Sequence, residues 1–174
     1  LTCFTVFLAS VPILVNAFQC KWQALTASFG MGKPDQLKGG RVSYQFLPQR
    51  LIWHKLSLYF DISAAYWHVD YHKYKSIAIG AIAPVLRYYV VNKNTVRPYV
   101  EVSIGGAYLS KRKLGHRNLG GSLAFQDIFG IGINFGSKGQ YDLSLRYLHY
   151  SNAGFVPPNN GIDVKLLLTC GYHF

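Results

Sequence analysis

The sequence has 174 residues, 50% of them hydrophobic, 16% aromatic and only 14% charged, a balance that excludes a disordered or collagen-like chain and fits a single domain. Eighteen Lys and Arg against seven Asp and Glu give a net charge of +11, which points to an anionic partner. No apolar run reaches the roughly 20 residues of a spanning helix, because the longest uncharged stretch, 1–20, is interrupted by Pro12, Asn16 and Gln19.

The chain opens on a short apolar block from Phe4 to Val15, and Val15-Asn16-Ala17 supplies small residues where a signal peptidase would cut. Residues 1–17 are therefore expected to be a signal peptide and 18–174 the mature domain. No basic run precedes the apolar block. Cleavage would leave the net charge unchanged and remove Cys3. Cys20 and Cys170 would remain, either as a disulfide in an oxidising compartment or as two thiols.

Beyond residue 20 the dominant pattern has period two. Between 52 and 66 the even positions carry Ile52, Leu56, Leu58, Phe60, Ile62 and Tyr66, while the odd ones include Lys55, Ser57, Asp61 and Ser63. Such alternation is a strand with one apolar and one polar face. It recurs as Val100, Val102 and Ile104 against Glu101 and Ser103, as Phe129 and Ile131 against Gly130 and Gly132, and as Tyr141, Leu143, Leu145 and Tyr147 against Asp142, Ser144 and Arg146. Breaks at Gly, Pro, Asn and charge clusters divide the chain into eight strands near 21–31, 38–47, 52–68, 76–91, 97–109, 122–136, 140–152 and 163–174.

Short connections such as 92–94 and 136–139 alternate with longer ones at 69–75, 110–121 and 153–162, the asymmetry of an outer-membrane barrel with short periplasmic turns. A soluble lipocalin-like barrel has the same strand count, so the other face decides. Its Gly, Ser, Gln, Asp and Arg residues are expected to fill a narrow lumen while the aromatic face meets lipid. The last strand alternates Val164, Leu166, Leu168, Cys170 and Tyr172 up to a terminal Phe174, which resembles the C-terminal recognition segment of bacterial outer-membrane barrels. The expected fold is all-β, an eight-stranded antiparallel transmembrane β-barrel of the bacterial outer membrane.

With both termini periplasmic, the strand at 140–152 runs outward and ends in His149-Tyr150-Ser151-Asn152-Ala153-Gly154. His149 and Ser151 project from one face with Cα atoms about 6.7 Å apart, within reach of an imidazole-to-hydroxyl bond. A serine hydroxyl needs such a base to become a nucleophile. Both continue the Tyr141–Tyr147 series, so both face lipid. The bland alternative is a polar rim in which His149 and Ser151 meet headgroups, and spacing by itself does not discriminate, because triads are defined by geometry.

The run from His149 to Gly154, followed by Pro158-Asn159-Asn160-Gly161-Ile162-Asp163, resembles the motif of the PagL-type outer-membrane lipid A 3-O-deacylases. That resemblance implies an eight-stranded barrel that hydrolyses the ester at position 3 of lipid A. It further implies His149 as base, Ser151 as nucleophile, an oxyanion hole formed by Asn159 with the backbone amide of Gly154 as second donor, and an acidic third member at Asp163. The family has Glu there, one methylene longer. Strict alternation would also place Asp163 with Lys165, Leu167 and Thr169, on the side opposite Val164 and Leu166. A rival is Asp127: a turn centred on Lys138 pairs 127 with 149, on the lipid-facing side with Phe125 and Phe129. If neither acid serves, a His-Ser dyad is left.

The basic segment Lys111-Arg112-Lys113, with His116 and Arg117 nearby, falls in an outer loop. There it is expected to bind the phosphates and acidic sugars of lipopolysaccharide rather than nucleic acid. His54, His68, His72, His116 and His173 show no ligand spacing with the cysteines, and Gly130-Ile131-Gly132 precedes no helix, so neither a metal nor another cofactor is expected. The alternative to an esterase is a non-catalytic lipopolysaccharide-binding or adhesive barrel. A barrel palmitoyl transferase fits less well, since no amphipathic helix precedes Lys21. Lipopolysaccharide and outer-membrane lipids are the expected partners, and a homodimer is left open.

Overall fold

Residues 22–47, 55–91 and 95–174 are described by a computed structural model. The expected signal peptide, its cleavage site, Cys20 with its pairing to Cys170, and the turn at 92–94 lie outside the described residues. Cys170 itself is exposed on the outer face.

The alternating segments become β1 (Trp22–Lys33), β2 (Leu37–Leu47), β3 (Leu56–His68), β4 (Ser76–Tyr89), β5 (Val96–Leu109), β8 (Leu123–Phe135), β9 (Tyr141–Ser151) and β10 (Ile162–His173). They form one closed antiparallel barrel in which each strand pairs with its sequence neighbour and β10 closes on β1. Closure pairs both edges of every strand, so no edge is left to template aggregation. Two further short strands were not foreseen, β6 (Lys113–Leu114) and β7 (Arg117–Asn118), which turn the 110–122 connection into a small hairpin. Its turn contains Gly115 at φ +58°.

Alternation sorts the faces as expected: Leu25, Phe29, Val42, Ile62, Tyr66, Ile82, Ile104, Phe129 and Leu168 point outward as an apolar belt. The lumen is only half as expected. Toward the termini it is polar and charged: Arg41 bonds Asp61, and Arg87 meets Glu101 at 2.9 Å and Asp142 at 3.0 Å. Arg146 lies 2.7 Å from the other oxygen of Glu101.

Toward the opposite rim, however, the interior is an apolar plug of Leu37, Trp67, Ile77, Ile79, Leu109, Leu148, Ile162 and Val164, capped by Leu114 and Leu119 of the hairpin region. Large residues fit there because glycines on the facing strands leave room; a Cβ at Gly39, for example, would lie 2.8 Å from the Trp67 ring. This plugged rim gathers the connections 34–36, 69–75, 110–122 and 152–161. They are knitted together by Gly115 N–H donating to Tyr74 O at 3.0 Å, by Asp70 N–H donating to Asp35 O at 2.9 Å, and by the His116–Asp35 pair at 2.8 Å.

Candidate active site

β9 reaches the plugged rim with Tyr147, His149 and Ser151 on its outer face and Arg146, Leu148 and Tyr150 turned inward. In register His149 has an acid on each side, Asp127 of β8 and Asp163 of β10. The 127–149 pairing expected from the Lys138-centred turn is the one observed.

Asp163 faces outward, against the parity expected from strict alternation. Val164 stands opposite Leu148 but Leu167 stands opposite Arg146, so β10 carries one extra residue between them. In this bulge Lys165 and Leu166 are both exposed, while Val164 and Leu167 both point into the barrel. A single inserted residue reverses the faces of everything before it. That brings Asp163 onto the face of His149.

His149 Nδ1 lies 2.8 Å from Asp163 Oδ1. A carboxylate only accepts, so the proton of a neutral imidazole sits on Nδ1 and the lone pair of Nε2 is left for another partner. None of the described hydrogen bonds of His149 goes to Asp127. Both members are partly accessible, with 29% and 24% side-chain exposure. Gly161, in the left-handed region at φ +56°, brings its backbone against the ring, where a Cβ would stand 3.0 Å from His149 Cε1. A side chain here would be strained by the positive φ and would press on the imidazole.

The 152–161 loop is organised by buried Asn152. Its side chain donates to Leu119 O at 3.0 Å and Val156 O at 2.7 Å, and accepts from Gly154 N–H at 2.9 Å. The Gly154 amide is therefore engaged in a turn, and it could serve an oxyanion only if that bond opened. Asn152 N–H donates to Asn159 Oδ1 at 3.0 Å, which fixes the Asn159 amide one residue from Ser151 and leaves its Nδ2 as the donor end. Beside Ser151, which pairs with Phe125, the rings of Phe125 and the highly exposed Phe155 approach to 6.2 Å.

Lys111, Arg112 and Lys113 are exposed and form an open cleft with Tyr74, Lys75 and Ser76. Lys73 and Lys113 hold their ammonium groups over the Tyr74 ring at 5.3 and 5.5 Å. The structure divides the basic segment, since Arg117 turns away from this cleft toward Asn160, Gly161 and Asp163. Tyr147, Asn152 and Gly161 gained no role in the site from the sequence, although Asn152 and Gly161 lie within the motif, and Arg117 was grouped there with the cations that bind lipopolysaccharide. Among the described residues no three His, Cys, Asp or Glu side chains converge as metal ligands.

The family profile described as "Lipid A 3-O-deacylase (PagL)" matches residues 38–172, a span that includes every residue of this site. The chain belongs to the PagL family. It is 36% identical over 109 residues to the lipid A deacylase PagL of Pseudomonas aeruginosa, covering 63% of this chain and 61% of that protein. With the lipid A deacylase PagL of Bordetella bronchiseptica it shares 31% identity over 127 residues, covering 70% and 65%. The matched stretches thus span under two thirds of either relative. A crystal structure of the outer membrane enzyme PagL superposes with a TM-score of 0.73 at 28% identity, covering 86% of this chain and 98% of that one. Neisserial surface protein A shares the fold, with a TM-score of 0.57 at 14% identity over 88% of this chain and 96% of that one.

Proposed function

We propose that this PagL family member is a serine esterase of the bacterial outer membrane that removes the 3-hydroxyacyl chain ester-linked at position 3 of lipid A. The observation that carries this reading is the bond from His149 Nδ1 to Asp163 Oδ1 at 2.8 Å, on the outer face of the barrel, two residues from Ser151. With the plugged rim at the outer leaflet, an acyl chain reaches that face sideways through the lipid and never enters the lumen.

In this mechanism His149 Nε2 takes the proton from Ser151 Oγ as the oxygen attacks the ester carbonyl, and Asp163 stabilises the imidazolium that forms. Asn159 Nδ2 faces the developing oxyanion, a donor aimed at transition-state charge. Collapse expels the sugar 3-oxygen, which recovers the proton from His149 and leaves the acyl group on Ser151. Water, deprotonated by the same imidazole, then releases the hydroxy fatty acid. Phe125 and Phe155 offer apolar surface to the acyl chain, and Lys111, Arg112 and Lys113 bind lipid A phosphates.

Mass spectrometry of lipid A from cells expressing the chain tests the reading. The expected result is loss of one hydroxyacyl group with the parent, and none with Ser151→Ala or His149→Ala, while heat-modifiable gel migration shows all three barrels folded. Unchanged lipid A with the folded parent, or activity retained by either variant, would sink it.

A further inference from the structure

Asp163 holds the place where the family resemblance implies a longer Glu, and the structure surrounds it with donors that the sequence did not assign. Its Oδ1 takes two bonds, from His149 Nδ1 at 2.8 Å and from Tyr147 Oη at 2.7 Å, while Oδ2 faces Arg117 Nη1 at 3.7 Å. We propose that Tyr147 and Arg117 are positioning residues that clamp the short carboxylate of Asp163 against His149 from outside the barrel, an inference that rests on the reading of His149 as the base.

The geometry argues for a clamp rather than incidental contact. Tyr147 and His149 are two apart on β9, with rings inclined by only 7° and centroids 6.4 Å apart. The phenol and the imidazole therefore present their donors side by side to one oxygen. Asp163 is the second residue of β10, and its partly exposed carboxylate is held by these polar partners. A carboxylate that loses one of its charge-assisted bonds gains freedom to turn away from the imidazole.

Arg117 acts on the same acid in two ways. Besides facing Oδ2, its Nη1 donates to the carbonyls of Asn160 and Gly161, the second at 3.0 Å. The neighbouring Asn118 carbonyl accepts from Asn160 N–H at 3.3 Å. The hairpin thus holds the backbone from which Asp163 projects and seats Gly161 against the His149 ring. A residue that composition groups with the substrate-capturing cations serves instead to build the site.

The test uses the full barrel, refolded into detergent micelles, with each variant checked for heat-modifiable migration. Tyr147→Phe, which keeps the ring, should lower kcat about ten-fold at nearly unchanged KM, and in an Asp163→Asn background it should cost less than about two-fold, since it acts through the acid. Arg117→Gln should lower kcat similarly, with partial rescue by Arg117→Lys.

A readout independent of turnover is the imidazole 15N NMR signature of His149. The parent should show the Nδ1–H tautomer, and Tyr147→Phe with Arg117→Gln should show the mixed tautomers of Asp163→Asn. An unchanged tautomer in the double variant, or a Tyr147→Phe effect as large without Asp163 as with it, overturns the clamp. If Arg117→Gln fails to fold, Tyr147→Phe alone decides the matter by the same two measurements. Should the parent fail to deacylate lipid A, the proposed function fails while the 15N signature still reads the clamp.

Discussion

At His149 the chain sets a carboxylate on either side of one imidazole, and hydrogen bonding distinguishes them. Asp163 bonds Nδ1 whereas Asp127, directly opposite in register, does not. An amide in place of the bonded acid can neither fix the productive tautomer nor stabilise the imidazolium. Asp163→Asn should therefore reduce kcat by about a hundred-fold or more, within the range that loss of a triad acid can cause. Asp127→Asn should change it by less than about three-fold, the size expected for a partly exposed charge acting through space. Steady-state hydrolysis of dispersed lipopolysaccharide by the two variants gives the ranking, and the reverse order would transfer the orienting role to β8.

Among the elements, β10 decides whether the site exists, because its bulge turns Asp163 outward. Deleting Lys165 should remove the bulge and leave Asp163 out, Val164 in, Leu166 out and Leu167 in, so hydrolysis should survive in a barrel that still shows heat-modifiable migration. Loss of activity in the folded variant would mean that the bulge itself, and not only the face it gives Asp163, positions the acid. This bulge was not legible in the sequence, because Leu166, Leu167 and Leu168 run in series and offer an apolar residue to the outer face in either register. The eight strands and the 127–149 register were legible, since alternation and a Gly-flanked turn are local signals. The roles of Arg117 and Tyr147 were not, because they depend on which strands and loops closure brings together. A second element-scale prediction concerns the exposed basic segment. Replacing Lys111, Arg112 and Lys113 by Gln should raise KM with little change in kcat, as for binding felt equally by ground and transition states. The variant should also respond less to added salt than the parent, because the attraction it loses is screened over about 8 Å at physiological ionic strength. An assay across a salt series checks both, and a loss of kcat at constant KM would show that the segment positions the ester.

In the molecule as a whole, three buried arginines, Arg41, Arg87 and Arg146, meet three buried acids, Asp61, Glu101 and Asp142, so the lumen charges cancel. The remaining acids, Asp35, Asp70, Asp127 and Asp163, all lie at the plugged rim. Glu101 joins two of the arginines. Glu101→Gln should thus cost about 3–5 kcal/mol, as expected when a buried ion loses its partner, and lower the midpoint of thermal gel-shift unfolding without altering turnover of the folded fraction. The apolar half of the interior was hidden in the sequence because residues such as Ile77 and Ile79 alternate with Ala78 and Gly80, a contrast of size rather than polarity. That apolar layer, stacked above a layer of neutralised ion pairs, is an electrical insulator in series with a matched set of charges. A membrane densely populated with this barrel should therefore keep its resistance, and a planar bilayer containing it should pass no conductance steps; channel-like steps would show that the apolar layer does not close the lumen.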